Sequence, residues 1–290
     1  MPKLLKWSAI ILGSLVAVIV VLFVALILDS VQHQRREYAI PSEKLTLAAA
    51  GDPALGAHLV QVGCVGCHGA DLGGQVFFND VKMGTLWSRN LTKGAGGVGH
   101  TLTRADWVRA IRYGVGPDGR TLLMMPTNAL EHLSDDDVAS IILVLDSLPS
   151  VDRQIPAPRL GWLARVLSVT VPFPLFSAEQ AEKNASHVKP PATDTVAYGG
   201  YLADAGGCHE CHGSTLANGA VGPNITMGGK LAGWSETDFV RAIREGKRPD
   251  GSSISEKMPW KDFRNFTDQE LDALWRYVQT VPPVSPANKK

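Results

Sequence analysis

Two five-residue stretches, Cys64-Val65-Gly66-Cys67-His68 and Cys208-His209-Glu210-Cys211-His212, hold all four cysteines of this 290-residue chain. Two thiols one helical turn apart can add to the two vinyl groups of one porphyrin, while the histidine that follows presents an imidazole to the iron. Each stretch therefore reads as a covalent haem c attachment site, with Cys64, Cys67, Cys208 and Cys211 forming thioethers and His68 and His212 ligating iron. A bare Cys-x-x-Cys also serves as a redox disulfide or as half of a zinc site. One zinc site shared by four thiolates would leave the histidine after each second cysteine unexplained, so the expectation is two covalently bound haem c groups.

A haem held this way still needs a ligand on its far face. A methionine thioether closes the iron and raises its potential, whereas an open position invites peroxide or oxygen. The candidates are Met125, in Met125-Pro126-Thr127, and Met258, in Met258-Pro259-Trp260; each stands eight positions before the residue that precedes a helix cap, Leu133 or Phe266. Any methionine can instead fill core space, and Met124, Met227 and Met83 are the alternatives. Of the eight histidines, His58, His100, His132, His187 and His209 read as surface or packing residues, and His33 lies just beyond the amino-terminal apolar run. On the proximal side a backbone carbonyl should hold the second imidazole nitrogen. Pro223 suits that role in the second half, and Arg89 is its counterpart in the first.

The elements that must position these residues occur twice. Asp52-Pro53 reads as an N-cap followed by proline at the first helical position, opening a helix to Gly63 that delivers the first motif. Val196 to Ala205 plays this part in the second half, where Gly199, Gly200 and Tyr201 lie in the region matching Leu55, Gly56 and Ala57 and small residues would let another helix approach closely. Thr103 to Arg112 matches Ser235 to Arg244 position for position, each opening with a capping box. Gly114 and Gly246 follow as left-handed helix ends. The last shared helices begin at Ser134 and Thr267, again as capping boxes, and bury Val138, Ile141, Ile142 and Leu145 or Leu271, Leu274, Trp275 and Val278 at helical spacing. Asn90-Leu91-Thr92 and Asn224-Ile225-Thr226 look like glycosylation sequons, but their matched positions favour a structural role in a haem-side loop. No stretch has strand periodicity of any length. The first half carries about a dozen extra residues between motif and capped helix.

Formal net charge is zero, and Lys3, Lys6, Arg35 and Arg36 against Asp29 leave the remainder mildly acidic. With no basic run there, the composition excludes nucleic acid as a partner. Trp7 to Leu28 is uncharged and long enough to cross a bilayer, with its basic end on the cytoplasmic side, and it is too long for a typical cleaved signal. The fold expected is all-α: two tandem helical domains after an amino-terminal transmembrane helix. Its parts are residues 1–36 as anchor, 51–151 and 194–284 as domains, and 152–193 as a proline-rich linker. Within the linker, Trp162, Leu163, Val166, Leu167, Val169, Phe173 and Phe176 are expected to pack in the groove between the domains; contact with membrane or a partner is the alternative.

With the paired motifs, the Met-Pro pair and the Gly-Tyr helix, the sequence resembles membrane-anchored dihaem c-type cytochromes. More broadly it resembles the cytochrome c subunits of periplasmic alcohol, aldehyde and gluconate dehydrogenases, over roughly Gly51 to Pro282. Those subunits usually carry three haem motifs where this chain has two. The resemblance implies a single-pass protein of the inner membrane with its haem domains on the periplasmic side. It implies electron transfer, without substrate chemistry of its own, between redox partner proteins: a dehydrogenase donor and an oxidase, soluble cytochrome or other acceptor. The competing reading is a dihaem enzyme such as a cytochrome c peroxidase or thiosulfate dehydrogenase.

Overall fold

The structure, a computed structural model, describes residues 3–181 and 185–285. It opens with a 33-residue helix, α1 (Lys3–Arg35), and among the described residues this is the helix long and apolar enough to cross a membrane. Asp52 then caps α2 (Pro53–Gly63), its carboxylate accepting from the amides of Ala54 and Leu55 at 2.8 Å each. The first cysteine motif follows directly as the one-turn helix α3 (Val65–His68).

The extra residues of the first half form a hairpin of β1 (Val76–Asp80) and β2 (Gly84–Trp87), which corrects the expectation of a purely helical chain. Asp80 makes the turn by accepting from the amides of Lys82 and Met83 at 2.7 and 2.9 Å. After α4 (Arg104–Tyr113), α5 (Thr127–Leu130) and α6 (Asp135–Ser147), the linker adds β3 (Arg159–Leu160) to the hairpin as a third strand and forms α7 (Trp162–Thr170). The second half repeats the helical plan as α8 (Thr195–Ala205), α9 (Cys208–His212), α10 (Glu236–Glu245), α11 (Trp260–Phe263) and α12 (Asp268–Thr280).

The apolar linker residues do not fill an interdomain groove. Helix α7 packs instead against the outer end of α1, where Trp162 meets the Phe23 ring at 6.1 Å and Ser168 bonds Ser30 at 3.1 Å. Leu175 and Phe176, just beyond it, are buried beside the loop that carries Met124 and Met125.

Two apolar cores result, one around Val108, Val138, Ile142 and Leu145 and the other around Leu202, Leu271, Trp275 and Val278. In each, the first helix crosses the last without room for a side chain: a Cβ on Gly56 would meet the backbone of Ser140, and one on Gly199 the backbone of Ala273. Gly56 therefore corresponds to Gly199, a shift from the register obtained by counting back from the cysteines, because the second half has one more residue between glycine and motif.

That alignment exposes a pseudo-two-fold contact between the halves. Val62 packs on the second core, and its counterpart Ala205 packs on the first. His58, two residues after Gly56, hydrogen-bonds both carboxylate oxygens of Glu270 at 2.9 Å. Tyr201, two residues after Gly199, donates to Asp137, the residue equivalent to Glu270. Asn128 on α5 donates to Glu210 of the second motif, while Asp262 on α11 lies over Gly66 of the first. The capping boxes respond to this contact. Glu270 is long enough to accept from the Thr267 amide as well, whereas the shorter Asp137 is taken by Tyr201 and Lys189, and the Ser134 amide donates to the Tyr201 hydroxyl at 2.9 Å instead. The box expected at Ser134 is thus only half formed.

The hydrogen bond to Glu270 raises the pKa of His58 above the usual histidine value, against the lowering effect of burial and of Lys189. Burial would raise Glu270, but bonds from His58 and Thr267 hold it below the usual carboxylate value. A raised histidine stabilises the fold fully below its unfolded value of about 6.5 and loses that contribution as pH climbs through the folded value; a depressed glutamate contributes above about 4.3 and is lost on acidification. The contact is therefore strongest between those limits. Melting curves should show the advantage of wild type over His58→Leu shrinking from about pH 6 to about pH 8. An advantage unchanged across that range would contradict the assignment.

Candidate haem centres

Each motif turn is delivered by a capped helix and closed by a glycine that reverses the chain, Gly69 at φ 84° and Gly213 at φ 82°. The reversal brings a later loop under each histidine. His68 Nδ1 donates to the Arg89 carbonyl at 2.8 Å and His212 Nδ1 to the Pro223 carbonyl at 2.7 Å, the two carbonyls expected from the sequence. Since a carbonyl only accepts, the proton is on Nδ1, and Nε2 keeps its lone pair. Burial lowers the pKa of both histidines, so the imidazoles are neutral, as metal ligation requires.

Burial pushes the Cys64 and Cys208 thiols up to about 12, and it raises Cys67 and Cys211 as well. These are protonated thiols in apolar surroundings rather than reactive thiolates. All four are free of disulfides, and among the described residues no group of three or more His, Cys, Asp or Glu converges as a bare metal site.

Of the adjacent methionines, Met125 packs on the core that also holds Cys64 and Val65, and Met124 does not. Met124 takes a left-handed backbone (φ 61°) and donates its amide to Leu175 O at 3.0 Å, while the Met125 amide donates to Ser177 Oγ at 2.8 Å. The linker thus clamps the first methionine loop from outside. Met258 packs on the second core with Cys208, and Met227 shares that core. The turns match: Thr127 N donates to Met125 O and Trp260 N to Met258 O, both at 2.8 Å. Met83 lies at the hairpin turn, beside β3 and apart from both cores.

The paired Asn-x-Thr triplets act as struts. Asn90 Nδ2 donates to Val151 O at 2.7 Å and Asn224 Nδ2 to Val284 O at 2.6 Å, while each asparagine oxygen accepts from the threonine two residues on. Asn90, Thr92 and Thr226 are fully buried, so these side chains tie the end of each half to its haem-side loop. The lobe contact through His58 and Tyr201 was not read from the sequence. Its signal was available: both residues stand two positions after the glycine that crosses the last helix, once the repeat is aligned on glycine.

Several buried donors have no protein acceptor, among them Trp107 Nε1 in the first half and Arg241 Nε and Trp260 Nε1 in the second. A helical protein ordinarily satisfies such groups. Neutral imidazoles with free Nε2, paired buried thiols, a thioether in each core and unclaimed donors for acidic groups form a set that fits a covalently held haem.

Residues 51–143 and 195–278, more than half the chain, match the family described as cytochrome C oxidase, cbb3-type, subunit III. The chain belongs to this cytochrome c family. Similar curated proteins include the cytochrome c subunit of alcohol dehydrogenase (quinone) from Gluconacetobacter polyoxogenes, 27% identical over 270 residues, with 80% of this chain and 56% of that protein covered. The fructose dehydrogenase cytochrome subunit from Gluconobacter japonicus is 26% identical over 258 residues, covering 76% and 50%. A diheme cytochrome c-type protein from Cereibacter sphaeroides is 25% identical over 257 residues, covering 77% and 83%. The chain spans about half the length of the dehydrogenase subunits it matches. Membership implies haem c as the cofactor, and these relatives are cytochromes rather than the catalytic subunits.

We propose Met125 and Met258 as the distal ligands of this cytochrome. Replacing either by leucine should then remove about half of the sulfur-to-iron charge-transfer absorption of the oxidised protein and lower the potential of that centre. Met124→Leu should leave both signals in place. Loss of half the band in Met124→Leu, or its survival at full strength in Met125→Leu, would reverse the assignment.

Proposed function

We propose that the chain is a membrane-anchored dihaem cytochrome that takes electrons from a periplasmic dehydrogenase and passes them toward a respiratory chain or terminal acceptor. Residues 51–151 and 194–284 are its two cytochrome c domains, 152–193 its linker, and 1–36 a single-pass anchor that keeps both domains outside the cytoplasmic membrane. Cys64, Cys67, His68 and Met125 hold one haem; Cys208, Cys211, His212 and Met258 hold the other. Bound in this way, haem supplies one-electron chemistry between ferrous and ferric iron.

The observation that carries this reading is the identical setting of the two motifs. In each half a backbone carbonyl fixes the Nδ1 proton of the motif histidine, and a methionine shares the core with the first cysteine. In each half the motif histidine is neutral with its Nε2 lone pair available, and a thioether packs on the core that holds the first cysteine, the two ligand types an electron-carrying haem uses. Val62 and Ala205, each packed in the other half's core, join the two halves together with the His58–Glu270 and Tyr201–Asp137 contacts. That suits a carrier in which electrons pass between the halves. The curated relatives that are cytochrome subunits of alcohol and fructose dehydrogenases support a dehydrogenase as donor.

Purification of the native protein from membranes in mild detergent tests the proposal. A dehydrogenase should accompany it, and addition of that enzyme's substrate should reduce the haem absorption bands of the complex. Purified cytochrome that arrives without a dehydrogenase and itself consumes peroxide or thiosulfate would overturn the carrier reading in favour of a dihaem enzyme.

A further inference from the structure

The hairpin of the first half and the linker helix meet at a point the electron-transfer reading leaves unexplained. Helices α1 and α7 run in the same direction, since Trp162 sits beside Phe23 and Ser168 beside Ser30. The amino-terminal end of α7 therefore points down α1 toward the membrane. Phe23 lies five residues inside the end of the apolar run at Leu28, about 7.5 Å along a helix that rises about 1.5 Å per residue.

The hairpin turn lies deeper still. Free amides at a helix start point away from the helix body, and those at the start of α7 are met by the turn: Gly161 N donates to Met83 O at 2.8 Å and Leu163 N to Lys82 O at 3.1 Å. At the tip, Val81 is 95% exposed, and beside it Trp162 is 48% exposed. What sets these two apart from other exposed apolar side chains is that they extend the exposed apolar flank of α1, whose own residues are suited to lipid. Cations flank this surface: Lys82 at the turn and Arg159 on β3 are exposed, alongside an Asp80 carboxylate taken up by the Lys82 and Met83 amides, and toward the outer end of α1 Arg165 is half-buried and donates to Gln34. Long basic side chains at this level can extend to phosphate head groups while their stems remain among acyl chains.

We propose that the turn 80–83 and the start of α7 form a second membrane contact, seated in the outer leaflet of the bilayer that α1 crosses. The occupant is the phospholipid interface, because the surface is continuous with the apolar flank of α1 and ends in a basic rim. This contact fixes the tilt of the first half against the membrane. The inference rests on α1 being a retained anchor.

Photo-cross-linking of the full-length holoprotein in phosphatidylethanolamine–phosphatidylglycerol nanodiscs tests both statements separately. The photoreactive p-benzoylphenylalanine is placed by Val20→p-benzoylphenylalanine within the anchor, by Val81→p-benzoylphenylalanine at the hairpin tip, and by Val221→p-benzoylphenylalanine on the second half, where the native valine is 64% exposed. Lipid adducts should form at 20 and 81 and at 81 should exceed those at 221 roughly tenfold, the preference of a valine-sized apolar group for lipid over water. Adducts at 20 with only the background of 221 at position 81 would overturn the second contact and leave the anchor intact. No adducts at 20 would overturn the anchor and the contact with it.

Discussion

Two helix crossings set the geometry of the whole molecule, because at each the backbones approach so closely that only hydrogen fits between them. Gly56 lies on the backbone of Ser140 and Gly199 on that of Ala273. A methyl group at such a crossing forces the helices apart, a strain of about 1–3 kcal/mol in a packed interior. With the crossing in place, the first helix of each half carries its cysteine turn at a set distance from the last helix, and the methionine loop that precedes the last helix closes the opposite side. Capping residues at the helix starts, Asp52 and Asp194 on one side and Ser134 and Thr267 on the other, fix where each helix begins. Met125 then packs on the core that holds Cys64, and Met258 on the core that holds Cys208.

The same crossings create the joint between halves. Since Gly56 and Gly199 face inward toward α6 and α12, the residues two positions later face the other lobe, and they meet the third residue of its last helix. Duplication made this joint symmetrical in position, yet its chemistry has diverged. His58 on Glu270 is an ionisable pair, with a glutamate long enough to cap its own helix as well. Tyr201 on Asp137 is a neutral donor whose pKa burial drives far above the physiological range, and Lys189 from the linker supplies the cation by packing over the rings of Tyr198 and Tyr201. Two chemically different contacts thus join the halves at matching positions.

Much of this was legible in the sequence, and the reasons are local. Capped helices announce themselves by residue type, so Asp52-Pro53, Thr103, Ser235 and Thr267 gave the correct starts. Carbonyl partners for both motif histidines followed from the repeat. What escaped depended on distant parts of the chain. The hairpin at residues 76–87 is short and gains a third strand only from the linker, 74 residues on at its nearest pairing, Thr85 with Arg159 in register with Gly84 and Leu160. The linker's apolar residues could have been buried by either lobe or anchor, and composition does not choose between two apolar surfaces. The lobe contact was hidden by one additional residue between Gly199 and Cys208, which shifts the register when the copies are aligned on their cysteines.

The central claim is that each half holds its own covalent haem. Mass spectrometry of the denatured protein, intact and then as peptides, tests it most directly. The account predicts two haems per chain, one on the peptide containing Cys64 and Cys67 and one on that containing Cys208 and Cys211, with no cysteine left to alkylate. A single haem, none, or alkylation at either motif in protein matured by a haem-attaching host would contradict it.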